Sequence, residues 1–267
     1  MSKEFQSKQN NTLHFVHITD THLLNLTEDT VHGLNTYKTL ESVFSHIQEN
    51  YDNIDFLLIT GDVSQTGDEQ SYKVLKSLLQ QLKFPIYCVP GNHDSPDFLQ
   101  QIIPNCPNDF VNVIQFGEFS LVLLDSCVEN NHHGVISQHC LHQLENYLRH
   151  NKNKFNILAI HHPPVLINSK WLDDLSLLNK TEFLTLIEKY SQDTIVLFGH
   201  IHQEFYQRIG NLHLLSTPST CYQFTSNTLI MQCTNTPPPA YRYIRLHYAN
   251  NHENNIHTAV HFIDSNY

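Results

Sequence analysis

The chain has 267 residues, 40% hydrophobic and only 15% charged, with a formal charge of −11 from 26 acidic and 15 basic side chains. That length suits one large domain or two small ones. The acidic balance argues against a protein built to grip a nucleic-acid backbone, which needs clustered Lys and Arg, but admits a small phosphate ester if bound divalent metals supply positive charge locally.

Residues 1–12 read as a polar leader without the apolar stretch of a signal peptide, and 13–267 as a single domain. An apolar run over 13–18 predicts a strand that ends in Asp20-Thr21-His22. A helix over 36–50 carries Tyr37, Leu40, Val43, Phe44 and Ile47 on one face. A strand over 56–60 leads to Gly61-Asp62, and a helix follows over 69–82. A strand over 85–89 ends in Pro90-Gly91-Asn92-His93-Asp94. Two strands, over 110–113 and 120–124, flank Gly117, and Ser137 is placed to cap a helix carrying Leu141, Leu144 and Leu148. A strand over 155–160 leads to His161-His162-Pro163-Pro164. The stretch 168–190 ends in a helix, and a strand over 194–198 leads to Gly199-His200-Ile201-His202. From about residue 212 the helical pattern stops. Strands over 212–215, 228–232, 241–248 and 257–263 predict a meander that closes a second sheet, broken at Pro237-Pro238-Pro239.

Six cysteines are scattered through the chain with no CxxC pair, which points to reduced thiols in a cytoplasmic protein. No apolar run reaches the roughly 18 residues of a membrane span.

Five strand ends therefore carry Asp, Asn or His. Open α/β sheets bind ligands at the carboxyl ends of their strands, and Asp, Asn and His clustered there form a metal-ligand set. Five repeats of the pattern point to two metals rather than one. Asp20 and His22 are two residues apart and share one side of an extended strand end, as do His200 and His202. Asp62 has two carboxylate oxygens with which to bridge two ions. Asn92 offers an amide oxygen. His93 is free to give a proton, and Asp94 is placed to orient its imidazole. His161 leaves a strand, and His162 reads as a supporting or surface residue.

This ordered set resembles the calcineurin-like metallophosphoesterase family, whose pattern is D-x-H, G-D, G-N-H-[DE], H and G-H-x-H. The resemblance covers roughly 13–205. It implies a four-layer αββα sandwich of two mixed sheets flanked by helices, with a dinuclear centre of iron and manganese or other first-row ions. By that pattern Asp20, His22, Asp62 and His202 hold one ion, and Asp62, Asn92, His161 and His200 the other. A closer resemblance is to the bacterial class III 3′,5′-cyclic AMP phosphodiesterases. It rests on Gly33-Leu34-Asn35-Thr36-Tyr37, on His133-Gly134 after Leu124-Asp125-Ser126, and on Pro218-Ser219-Thr220-Cys221-Tyr222-Gln223-Phe224. It implies hydrolysis of a cyclic nucleotide to the 5′-monophosphate by a metal-bridging hydroxide, with His93 as acid to the leaving 3′-oxygen. Asn92, His93 and His133 are the expected substrate contacts. His133 is alternatively a surface loop residue, and Tyr222 and Gln223 either face the site or pack the second sheet. The expected partner is a small cyclic nucleotide, with no nucleic acid and no membrane, in a monomer or homodimer. A glycerophosphodiesterase, a nucleotide pyrophosphatase and a non-catalytic scaffold are the competing readings.

Overall fold

The computed structural model describes residues 11–190, 193–249 and 255–264. Most of the polar leader expected over 1–12 lies outside them.

β1 (Thr12–Ile18), β2 (Phe56–Thr60) and β3 (Ile86–Val89) run parallel in a first sheet. α1 (Thr36–Asn50) and α2 (Glu69–Leu79) connect them. Each starts at a side-chain cap: Asn35 accepts from the Lys38 amide, and Asp68 from those of Gln70 and Ser71. α2 stops at Leu79 rather than 82, yet Leu82 still packs against the core. α3 (Pro96–Ile102) follows β3 and opens on a proline, whose fixed φ suits a first helical turn.

A second sheet holds β4 (Asn112–Phe116), β5 (Phe119–Leu123), β6 (Phe155–Ala159), β7 (Thr194–Phe198), β8 (Phe205–Ile209) and β9 (Leu212–Ser216), in the order β4-β5-β6-β7-β9-β8. α4 (Gln138–His150), α5 (Lys170–Asp173) and α6 (Lys180–Tyr190) lie among its connections. Ser137 caps α4 by accepting from the Cys140 amide.

Side-chain alternation sets the layers. Val16 and Ile18 of β1 pack with Leu40, Val43 and Phe44 of α1, while Phe15 faces the other way and stacks on Phe56. Phe119 and Phe155 meet them from the second sheet. On that sheet's outer face Val122, Leu158 and Val196 pack with Leu141 and Leu144 of α4 and Phe183 and Ile187 of α6. The result is the αββα sandwich the motifs implied. Central strands buried on both faces read as continuous apolar runs, which is why they were visible in the sequence.

The C-terminal region departs from the expectation. β10 (Gln223–Phe224) and β11 (Cys233–Thr234) form a small separate pair, and the strand expected over 228–232 is absent. β12 (Ala240–His247) and β13 (Asn255–Phe262) do not close the second sheet. They return to the first, where β12 pairs antiparallel with β1, giving the order β13-β12-β1-β2-β3. β2 occupies only one edge of β1, and β12 satisfies the backbone groups of the other. β8 escaped notice because it is an edge strand with an exposed middle, so it shows no apolar run.

Candidate metal centre

The motif residues come together where the carboxyl ends of β1, β2 and β3 meet those of β6 and β7. The sheets are tied there. The His200 amide donates to both Asp20 carboxylate oxygens at 3.0 and 3.1 Å, and His161 Nδ1 lies 2.7 Å from the Thr60 carbonyl. Beneath them the buried His17 spans the sheets, with Nε2 at 2.8 Å from Thr60 Oγ1 and Nδ1 at 2.7 Å from Thr217 Oγ1. Burial lowers the His17 pKa to about 3, so it stays a neutral strut.

Two groups of donors form. In one, His22 Nε2 is 3.2 Å from His202 Nε2, which is 3.4 Å from Asp20 Oδ1. In the other, His161 Nε2 is 3.2 Å from both Asn92 Oδ1 and His200 Nδ1. Asp62 Oδ2 stands between them, 3.8 Å from His22 Nε2 and 3.4 Å from His161 Nε2. The other Asp62 oxygen accepts from the His93 amide at 2.9 Å, which fixes the carboxylate's orientation.

These distances make chemical sense only around positive charge. His161 and His202 each use Nδ1 on a backbone carbonyl, that of Thr60 and of Tyr222. A carbonyl can only accept, so Nδ1 carries the proton and a neutral ring presents a bare lone pair at Nε2. Those lone pairs face carboxylate and amide oxygens and other ring nitrogens. Acceptors facing acceptors repel unless a cation lies among them. Burial would lower the His161 pKa, but the Asp62 charge and hydrogen bond outweigh it and hold it up at about 9, so a proton competes with a metal ion for the Nε2 lone pair. Burial first, then the neighbouring imidazoles, lower His22 to about 3 and take His200 well below the usual range, keeping both as neutral donors. The buried cluster fits divalent ions.

The backbone is bent to achieve this. Asp20, His22, Asp62, His200 and His202 all have positive φ, between 45° and 71°, a region non-glycine residues rarely occupy. Gly61 has φ 87°, and a Cβ on it would lie 2.6 Å from His161 Nδ1 and 2.7 Å from Gly91 Cα. The Gly-Asp step is therefore demanded by the crowding behind the site.

A family model for the calcineurin-like phosphoesterases matches residues 13–204. The chain belongs to that family. This phosphoesterase is 36% identical over 230 residues to a 3′,5′-cyclic-nucleotide phosphodiesterase of Nostoc sp., covering 86% of each chain. It is 33% identical over 233 residues to the 3′,5′-cyclic adenosine monophosphate phosphodiesterase CpdA of Pseudomonas aeruginosa, covering 87% of this chain and 85% of the relative. Among solved structures, a dimetal phosphatase from Danio rerio superposes with a TM-score of 0.62 at 14% identity, over 87% of this chain and 95% of that one. At that identity the likeness speaks for the fold alone.

Around the proposed metal ligands, the phosphoesterase differs from the reading of its sequence in two places. Asp94 makes no hydrogen bond to the His93 ring. Its carboxylate accepts from the amides of Val63, Ser64 and Gly91 and from the Tyr72 hydroxyl, because it folds back under the turn. Burial, then the Asp62 charge, raises its pKa to about 6. The Gln65 carbonyl, 2.8 Å from Nδ1, holds the His93 ring instead. Asp94→Ala should therefore act on stability. An unpaired buried donor costs about 1–3 kcal/mol, so calorimetry should show the unfolding midpoint falling by at least about 2 °C, and less in Asp94→Asn.

His133 is the second. A cavity of about 350 Å³ opens onto the donors, and its lining includes His132, not His133. His132 Nδ1 lies 3.2 Å from Asn92 Nδ2. Adjacent loop residues point to different sides, and nothing in the local pattern told which of the two faces inward. For Gln223, where the sequence leaves both readings open, the side chain does not line the cavity. It is buried and braces the preceding turn, accepting from the Ser219 amide and donating to the Ser219 carbonyl. Tyr222 does line the cavity, with its ring 4.9 Å from that of His202. His162 is fully buried. Ser126 Oγ accepts from the amides of His161 and His162, so its proton goes to His162 Nδ1 at 2.8 Å. That leaves the hydrogen on Nε2 and removes His162 as a ligand. A larger cavity of about 810 Å³ also touches Asn92, but its rim carries Asp97, Asp109, Asp125 and Glu129, which repel a phosphate.

Proposed function

We propose that this phosphoesterase is a two-metal 3′,5′-cyclic-nucleotide phosphodiesterase that hydrolyses cyclic AMP to 5′-AMP. The observation that carries the reading is the pair of donor groups sharing Asp62, with bare imidazole lone pairs turned inward. The cyclic-nucleotide phosphodiesterases similar to this chain over most of its length support the substrate class.

In this reading Asp20, His22 and His202 hold one ion, Asn92, His161 and His200 the other, and Asp62 both. Iron and manganese are the proposed pair. Bound there, the ions would supply an activated water and neutralise charge on the phosphoryl oxygens. The chain's own part is positioning and proton transfer. Asn92 and His132 border the phosphate end of the cavity. The Gln65 carbonyl accepts a hydrogen bond from His93 Nδ1–H, so Nε2 is the atom from which His93 would give a proton to the leaving 3′-oxygen. A cyclic diester needs that acid, because an alkoxide is a poor leaving group. The single-domain reading of 13–267 belongs to the proposal, since the donors come from both sheets.

Six free cysteines, four of them buried, support a reducing cytoplasmic setting. Among the described residues no helix is long and apolar enough to cross a membrane. The proposed assembly is a monomer or homodimer acting on a small molecule rather than on nucleic acid.

A scaffold would not need this donor set intact, and a glycerophosphodiesterase or pyrophosphatase would work on other esters. The decisive experiment is a turnover panel with metal-reconstituted protein on cyclic AMP, cyclic GMP, glycerophosphodiesters, dinucleotide pyrophosphates and monoesters. Cyclic AMP should give the highest kcat/KM, with 5′-AMP as the sole product. Preference for a linear diester, or the 3′-monophosphate as product, would overturn the reading.

A further inference from the structure

One wall of the 350 Å³ cavity carries no metal donor. It is formed by Trp171 and Leu172 at α5, Leu175 just beyond, Phe224 on β10 and Met231 in the loop between β10 and β11. The rings are ordered outward from the ligands. Phe224 stacks on His202 with centroids 4.2 Å apart and planes at 26°. Trp171 then meets Phe224 edge-on at 4.8 Å and 86°. The indole is held from a second direction too, since its Nε1–H donates to Thr228 Oγ1 at 3.1 Å. With that donor used, what the indole can offer the cavity is flat apolar surface. Trp171 is only partly buried, so such surface remains open to solvent.

We infer that this wall is a stacking site for the heterocyclic base of the substrate, with Trp171 its principal contact. The inference rests on the function proposed above and names how the cyclic nucleotide is held. The base of a 3′,5′-cyclic nucleotide leaves the ribose at C1′, away from the cyclic phosphate. With phosphorus at the donors, the base extends outward along the cavity, the direction the His202–Phe224–Trp171 series takes. Glycerol or a simple alkyl group in that place would leave the aromatic wall facing water. Aromatic side chains accept any base by its π-face and read its edge poorly. The wall therefore favours nucleosides over other alcohols and discriminates weakly among the bases.

Trp171 is the chain's only tryptophan, so its emission reports on this wall alone. Adding 5′-AMP to the metal-loaded protein should quench or shift the emission. Ribose 5-phosphate, which has the sugar and phosphate without the base, should leave it unchanged. Stacking on one aromatic ring is worth about tenfold in affinity. Trp171→Ala should accordingly raise KM for cyclic AMP about tenfold with kcat little changed, and Trp171→Phe should recover most of the loss. Equal responses to the two phosphates, or a fall in kcat at constant KM, would overturn the stacking site. The emission comparison needs no turnover, so it judges the wall even if the enzyme prefers another diester, whereas the substrate panel judges the reaction.

Discussion

Asp62→Ala should lose both metals and lower turnover by at least about 10³-fold, the largest single-residue effect expected in this protein. The structure explains why one carboxylate matters so much. Asp62 Oδ2 lies near both donor groups, at 3.8 Å from His22 and 3.4 Å from His161. Two ions supply several kcal/mol to a phosphoryl transfer, and each 1.4 kcal/mol is a factor of ten in rate. Elemental analysis of the purified variant is the direct check. Retention of two ions per chain would remove Asp62 from the bridging position. His162→Ala is the useful contrast. Its ring packs 5.0 Å from those of His161 and His200, yet its Nε2 carries a hydrogen, so the variant should keep its metal content.

His93→Ala should keep its metals and lose activity on the cyclic diester by about 10²–10⁴-fold, the usual range for a general acid. The backbone amide of His93 bonds Asp62, its ring bonds the Gln65 carbonyl, and the ring stands beside the donors, 5.1 Å from that of His22 and within 4.8 Å of the ligand atoms of His22 and Asp62. Removing the ring still leaves each proposed ion the four ligands assigned to it, none of which is His93. The loss should shrink on a substrate with a p-nitrophenolate leaving group, which departs without a proton. Equal losses on both substrates would give His93 a role in binding phosphate rather than in protonation.

Much of this centre is legible in the sequence because its logic is local. An apolar run marks a buried parallel strand, and the polar residues just after it stand at the strand's carboxyl end. Asp20, Asp62, Asn92, His161, His200 and His202 are all located that way. What the sequence hides is whatever depends on distant pairing or on loop direction. β12 pairs with β1 across most of the chain's length, and no local signal marks that partner. His132 and His133 are chemically identical, and a loop has no period to say which one turns inward. Asp94 sits beside His93 in sequence, yet its carboxylate is drawn to three backbone amides that only the folded turn brings within reach. Trp171 carries no motif at all; its place is set by Phe224, which stacks on His202 and meets the indole edge-on.

The division of the donors between the two sheets bears on the order of folding. Asp20, His22, Asp62 and Asn92 follow strands of the first sheet, and His161, His200 and His202 strands of the second. Each donor group draws on both, so neither sheet alone can assemble a full coordination shell. A cation bound tightly by the finished protein has no complete site until the sheets have docked. Contacts made after the rate-limiting step slow unfolding without hastening folding. Metal should therefore act as a late clasp, lengthening the lifetime of the native state while leaving the refolding rate of the stripped chain nearly unchanged.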